Sequence, residues 1–169
     1  MLWVTRHNPH VDRCTVGTSV WASVGAPVTR HNPHGDRCTS AWLIKRFIDK
    51  KARFAFISED DPIPEGAIAF TLSKAEIKPV EKQKTTYDVL AEKYNIQDPI
   101  ALKIGKFIHD FEIESEENPE KVKFKETLGL CYVLKGIEKT SKTDNEIVEK
   151  GLIVLDALYS SLTDYLRFP

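Results

Sequence analysis

Eight consecutive residues, Arg30-His31-Asn32-Pro33-His34-Gly35-Asp36-Arg37, carry six side chains that can ionise or hydrogen-bond, and they stand just ahead of a helix-forming stretch. Asp36 is placed to act as an N-cap, its carboxylate accepting the free amide hydrogens of a first turn. Arg37 then falls in that first turn, where the helix dipole disfavours a bare cation and a negative partner is expected. Helix N-termini flanked by arginines hold oxyanions, and the planar guanidinium fork suits a tetrahedral one. The plainer reading of the same residues is a strand-to-helix turn with a cap and two solvated arginines. His31 and His34 form a HxxH pair, but Pro33 lies between them and no helix fixes them on one face. His34 is the better candidate ligand of the two.

Two other places carry polar groups that call for a partner. Asp156 interrupts the apolar stripe to which Leu152 and Tyr159 belong. A carboxylate there either sits at the solvated rim or is partly buried and paired, with Arg30, Arg37 or a metal as the partner. His109-Asp110 closes a predicted helix, with Glu112 two residues on; the dipole by itself favours a histidine in a last turn. If these groups converge, they offer an oxygen- and imidazole-rich site for a divalent metal such as manganese, iron or zinc. The acidic run Glu112, Glu114, Glu116, Glu117 and Glu120 reads as a solvated face. The chain contains no phosphate-binding glycine loop, GxSxG or HExxH.

The elements that must position these residues follow from periodicity. Ala41, Ile44, Phe47 and Ile48 have helical spacing. Arg53–Ser58 and Ala67–Phe70 read as short buried strands, joined by a turn-rich loop through Asp60-Asp61-Pro62. Helices are predicted over about Thr86–Lys93 with a Thr85/Thr86 cap, Pro99–Asp110 with proline at its opening, and about Lys123–Leu134. A last helix runs from Thr143 or Asp144 to about Leu166, with Ile147, Val148, Leu152, Leu155, Leu158, Tyr159, Leu162 and Leu166 on its stripe. The expected fold is α/β, leaning to α+β: a small sheet of about three strands packed against four or five helices.

One segment occurs twice. Val4–Thr15 recurs as Val28–Thr39, with Val11 and Gly35 the single mismatch. Two copies are too few for a repeat array. Only the second leads into a helical stripe, so residues 1–27 are read as an extension carrying a duplicate, and 28–169 as the domain with the working site. Leu2-Trp3-Val4-Thr5 is nevertheless the better strand of the two copies, able to supply an edge strand or to compete for the second copy's place.

Composition narrows the class. Hydrophobic residues make up 41% and charged residues 29%, an ordinary globular mixture, and 24 basic residues balance 25 acidic ones. That balance lacks the basic surplus of a phosphate-gripping nucleic-acid binder. Three cysteines without CxxC spacing argue against a disulfide framework, and Cys131 reads as a small core residue. No run of about 20 apolar residues is present for a membrane span, and no signal peptide is evident, so a cytoplasmic protein is expected.

Thr29-Arg30, Pro33, Asp36-Arg37 and Ala41-Trp42-Leu43-Ile44-Lys45-Arg46-Phe47-Ile48-Asp49 resemble the opening signature of the ChrB C-terminal domain family. Later landmarks keep their order: Thr86-Tyr87-Asp88, Asp98-Pro99 with Ile108-His109-Asp110, Gly129-Leu130, and Gly151 followed by Asp156-Ala157-Leu158-Tyr159. The resemblance implies a link with chromate resistance and carries over to Arg30, Asp36, Arg37, Asp88, His109, Asp110 and Asp156. Where the family often has a histidine and a cysteine, Lys74–Thr86 contains neither. Full-length ChrB regulators resemble a fusion with an N-terminal DNA-binding region, so direct nucleic-acid binding is not expected of this chain alone. The expected ligand-binding residues are thus Arg30, His34, Asp36, Arg37 and Asp156, and the expected metal ligands Asp36, Asp88, His109 and Asp110. The partner is a small anion such as chromate or a metal ion, with self-association left open. Three functions compete: an oxyanion- or metal-sensing domain, a small metal-dependent enzyme acting on an anionic or redox substrate, and a non-catalytic interaction module.

Overall fold

The computed structural model describes residues 2–6, 28–29, 35–115 and 118–167. Four short strands, β1 (Leu2–Arg6), β2 (Val28–Thr29), β3 (Arg53–Ile57) and β4 (Ala67–Ala69), pair in parallel and pack against five helices. The helices are α1 (Gly35–Leu43), α2 (Thr86–Lys93), α3 (Pro99–His109), α4 (Lys125–Thr140) and α5 (Asp144–Arg167). α1 runs on as a π-helical turn over Ile44–Ile48, and α3 as another over Asp110–Ser115. This is the small α/β fold that the sequence predicts.

The duplicated segment shows itself in the sheet. Val4 and Val28 both stand opposite Ala55 of β3 and Ala69 of β4, and Thr5 and Thr29 both stand opposite Phe56. The pairings close on themselves in the order β1-β3-β2-β4, with β1 also paired to β2. Equivalent residues of the two copies therefore take equivalent rungs, flanked by β3 and β4 rather than at an edge. The first copy supplies the longer strand, five residues against two.

Both faces of the sheet are covered, as parallel sheets require. Trp3 points to the helical side, fully buried, with Phe70 and Tyr94 edge-on or tilted at 6.3 and 5.8 Å. Val4 points the other way, into a smaller apolar group with Ile57, Ala69, Leu72 and Ala75. On the helical side α1 lies at the centre, against α2, α3, α4 and α5. Gly151 of α5 makes the α1 contact possible, because a Cβ there would meet Cys38 Sγ at 2.3 Å. Burial pushes the thiols of Cys38 and Cys131 up to about 12, which fits core residues. No helix among the described residues is long and apolar enough to cross a membrane.

Candidate functional site

Asp36 lies inside the first turn of α1, one residue past its start, and caps a different helix from the one expected. Its carboxylate accepts the backbone N–H groups of Thr86 at 2.9 Å and Tyr87 at 3.0 Å, in the first turn of α2. Burial pushes the Asp36 carboxyl above its ordinary value, the two amides pull it back, and the charge of Asp88 adds to the rise. The same helix start carries a capping box. Thr85 Oγ1 accepts from the Asp88 amide at 3.2 Å, and Asp88 Oδ2 accepts from the Thr85 amide at 2.9 Å.

Asp88 Oδ2 also meets His109 Nδ1 at 2.7 Å. Three residues expected from the sequence, Asp36, Asp88 and His109, thus converge on the first turn of α2. The pairing fixes the imidazole through Nδ1 and leaves Nε2, in a partly exposed ring, without a hydrogen-bond partner among the described residues. A partly exposed histidine oriented by a carboxylate is suited to accept a proton or ligate a metal.

Asp110 goes elsewhere. It is buried and accepts the amides of Lys123 and Phe124 at 2.9 and 3.1 Å and the Thr127 hydroxyl at 2.9 Å. It thereby caps α4, whose own N-cap residue Phe124 has no side chain able to do so. Among the described residues no three His, Cys, Asp or Glu side chains gather closely enough to hold a metal ion. Glu112 departs from the expected solvated face: it is half-buried, with Oε1 buried near Gly35. Arg37 is half-buried at the start of α1. Arg30, His31 and His34 lie outside the described residues, as do Glu116 and Glu117.

Asp156 marks a second region. Its Oδ1 accepts from Trp42 Nε1 at 2.8 Å and pairs with Arg46 Nη1 at 2.5 Å. Its partner is therefore Arg46, at the outer end of α1, and the carboxylate is 54% exposed. The Arg46 guanidinium lies 3.9 Å from the centre of the Tyr159 ring and 5.9 Å from those of Trp42 and Phe47. Tyr159 in turn donates to Asp98 Oδ2 at 2.9 Å, while Asp98 Oδ1 caps α3 through the amides of Ile100 and Ala101. Trp42, Arg46, Phe47, Asp156 and Tyr159 line an open groove of about 590 Å³ with Lys45, Lys50 and Leu152. Lys45 donates to the Ala52 carbonyl at 2.6 Å. The lining thus carries three cationic residues and one carboxylate, of which Arg46 is the cation paired with Asp156.

Sequence reasoning flags Asp156 but not the groove. Phe47 reads as part of the apolar stripe, Lys45 and Lys50 are not singled out, and Arg46 is 110 residues from its partner. The available signal is the i, i+4 spacing of Trp42 and Arg46, which puts an aromatic ring and a cation on one face.

A family model described as ChrB, C-terminal domain matches residues 27–162. The chain belongs to the ChrB C-terminal domain family. A curated relative, Protein ChrB of Cupriavidus metallidurans strain CH34, is 26% identical over 121 residues. That match covers 71% of this chain and 35% of the relative, so the chain corresponds to about a third of that protein's length. No solved structure matches. The family's match includes α1 with Asp36 and Trp42, the Asp88–His109 pair and Asp156.

Proposed function

We propose that this domain binds a small oxyanion, chromate or a tetrahedral relative of it, as the ligand-holding part of a cytoplasmic chromate-resistance system, and that the anion sits in the groove beside Asp156. The observation that carries this reading is charge: Lys45, Arg46 and Lys50 against Asp156, in an open space of about 590 Å³. Asp156 and the Tyr159 ring hold Arg46 before any ligand arrives, which lowers the ordering cost of binding. Lys50 is exposed and supplies a charge that can close on an anion. Family membership supports chromate as the anion.

The start of α2 is the poorer place for it. Amides that would attract an anion already donate to Asp36, Asp88 and Thr85 Oγ1, and a further negative charge would meet two carboxylates. The N-terminal end of α1, with Arg37, is the other place.

Thermal unfolding with chromate, sulfate and phosphate, in the parent and in Lys50→Glu and Arg37→Ala, tests the assignment. A ligand at about 100 times its dissociation constant adds about 2.7 kcal/mol. Stabilisation lost in Lys50→Glu and kept in Arg37→Ala is expected. The reverse moves the anion to the start of α1, and flat curves with all three anions overturn oxyanion binding.

A metal-dependent enzyme is the second reading, favoured by the partly exposed His109 ring, whose Nδ1 is held by Asp88. Asp36 and Asp110, also expected as ligands, already serve backbone amides. Stabilisation by manganese, iron or zinc that disappears in His109→Ala would support this reading.

A further inference from the structure

The outer face of α4 has a symmetry that the rest of the fold does not use. Its inner face buries Thr127, Leu130, Cys131 and Leu134. Its outer face exposes Glu126, Gly129, Tyr132, Val133, Gly136 and Lys139. Tyr132 is 66% exposed and Val133 47%, two large apolar side chains side by side in water. A Cβ added at Gly129 or Gly136 would meet nothing within 4 Å, so neither glycine is required by packing inside the chain. Two glycines in an exposed helix face weaken the helix for no internal return. Lys135, the other cation on this stretch, is turned onto the Phe111 ring and leaves the face clear.

The pattern reads the same in both directions about the midpoint between Tyr132 and Val133. Turned end for end, Gly129 meets Gly136, Tyr132 meets Val133, and Glu126 meets Lys139. The spacing Gly129, Tyr132, Gly136, Lys139 alternates three and four residues, as in a helix–helix seam. Small residues at such a seam let two backbones approach closely, and the bulky pair between them fills the centre. The charged ends then complement each other, whereas a parallel arrangement would set Glu126 against Glu126.

We propose that α4 is a self-association face, on which a second copy of this chain docks its own α4 antiparallel, with Glu126 of each copy pairing with Lys139 of the other. The contact is isologous, as a two-fold dimer requires. A helix of 16 residues is about 24 Å long, so a single helix pair lies at the small end of specific interfaces. The dimer therefore forms at micromolar concentrations rather than permanently.

Sedimentation velocity on the full chain, from about 1 to 200 μM, reads the association. The parent is expected to shift from monomer to dimer across that range. Glu126→Lys and Lys139→Glu should each weaken it about tenfold or more, with unchanged thermal unfolding of the monomer. The double swap in one chain should restore it, and the two single variants should pair with each other when mixed. Replacing both Gly129 and Gly136 by Gln should raise monomer stability and still weaken the dimer, opposite signs that a purely structural role cannot give. A monomer at every concentration, a dimer indifferent to the single swaps, or a double swap that fails to restore would each overturn the proposal.

Discussion

The starts of α2 and α4 and the groove at the outer end of α1 use the same chemical groups to different ends. At the helix starts, Asp36 and Asp110 accept amides and hydroxyls from a neighbouring element, and their bonding capacity is largely spent within the chain. In the groove, Asp156 spends one oxygen on Trp42 and Arg46, while the other takes no hydrogen bond among the described residues beside the space that Lys45 and Lys50 also line. A polar group with satisfied partners builds the fold; one left partly satisfied beside open space is available to a ligand. Position in the sequence does not separate the two kinds, since Asp36 and Trp42 lie on one helix about 9 Å apart along its axis.

The contrast can be broken from the closed side first. Asp110→Ala removes the cap of α4 and orphans two amides and a buried hydroxyl. A loss of about 3 kcal/mol, or ~10 °C in Tm, is expected by calorimetry. Asp36→Ala should cost about 2 kcal/mol, measured by urea unfolding, because two first-turn amides of α2 lose their acceptor. If either substitution is neutral, the caps contribute less than their geometry implies.

Titration sharpens the same side. Burial raises the Asp36 carboxyl above about 3.8, so its protonated form is favoured in the folded state. The stability it contributes is full below that ordinary value and is lost as pH rises through the raised one. Relative to Asp36→Asn, the parent should therefore be most stable at low pH, with the difference shrinking towards neutrality. An advantage that grows with pH would contradict the assigned direction.

On the open side the expected effects on folding are smaller. Asp156→Ala should cost about 1–2 kcal/mol, chiefly because the indole N–H of the buried Trp42 loses its acceptor, with little from the exposed ion pair to Arg46. Yet it should release Arg46 and alter anion binding in the assay above. Lys50→Glu should leave the melting curve of the unliganded protein within about 0.5 kcal/mol of the parent. A large loss of stability in either variant would make the groove a structural feature.

Much of the frame is legible in the residues. The Thr85/Thr86 cap and the proline at position 99 are local start signals, and α2 and α3 begin where they say. The end of α4 extends to Thr140, beyond the predicted Leu134, because Gly136 interrupts the helix-forming pattern although Ile137 continues the stripe of Leu130 and Leu134 and packs on the core. Asp36 misleads because capping is inferred from the following residues, whereas its carboxylate reaches a helix 50 residues away. For Asp156 the need for a partner is legible and the partner is not, since nothing local singles out Arg46 over Arg30 or Arg37. The convergence of Asp36, Asp88 and His109 follows from the family resemblance rather than from spacing.

The reach of Asp36 and Asp110 has a consequence for how the chain folds. α4 has no cap of its own and borrows Asp110, and α2 adds the distant carboxylate of Asp36 to its Thr85–Asp88 capping box, so both helix starts draw on an element elsewhere in the chain. Their first turns should form together with α1 and with the turn after α3. Hydrogen exchange at Thr86, Tyr87, Lys123 and Phe124 would then report unfolding of the whole rather than fraying of two separate helix ends.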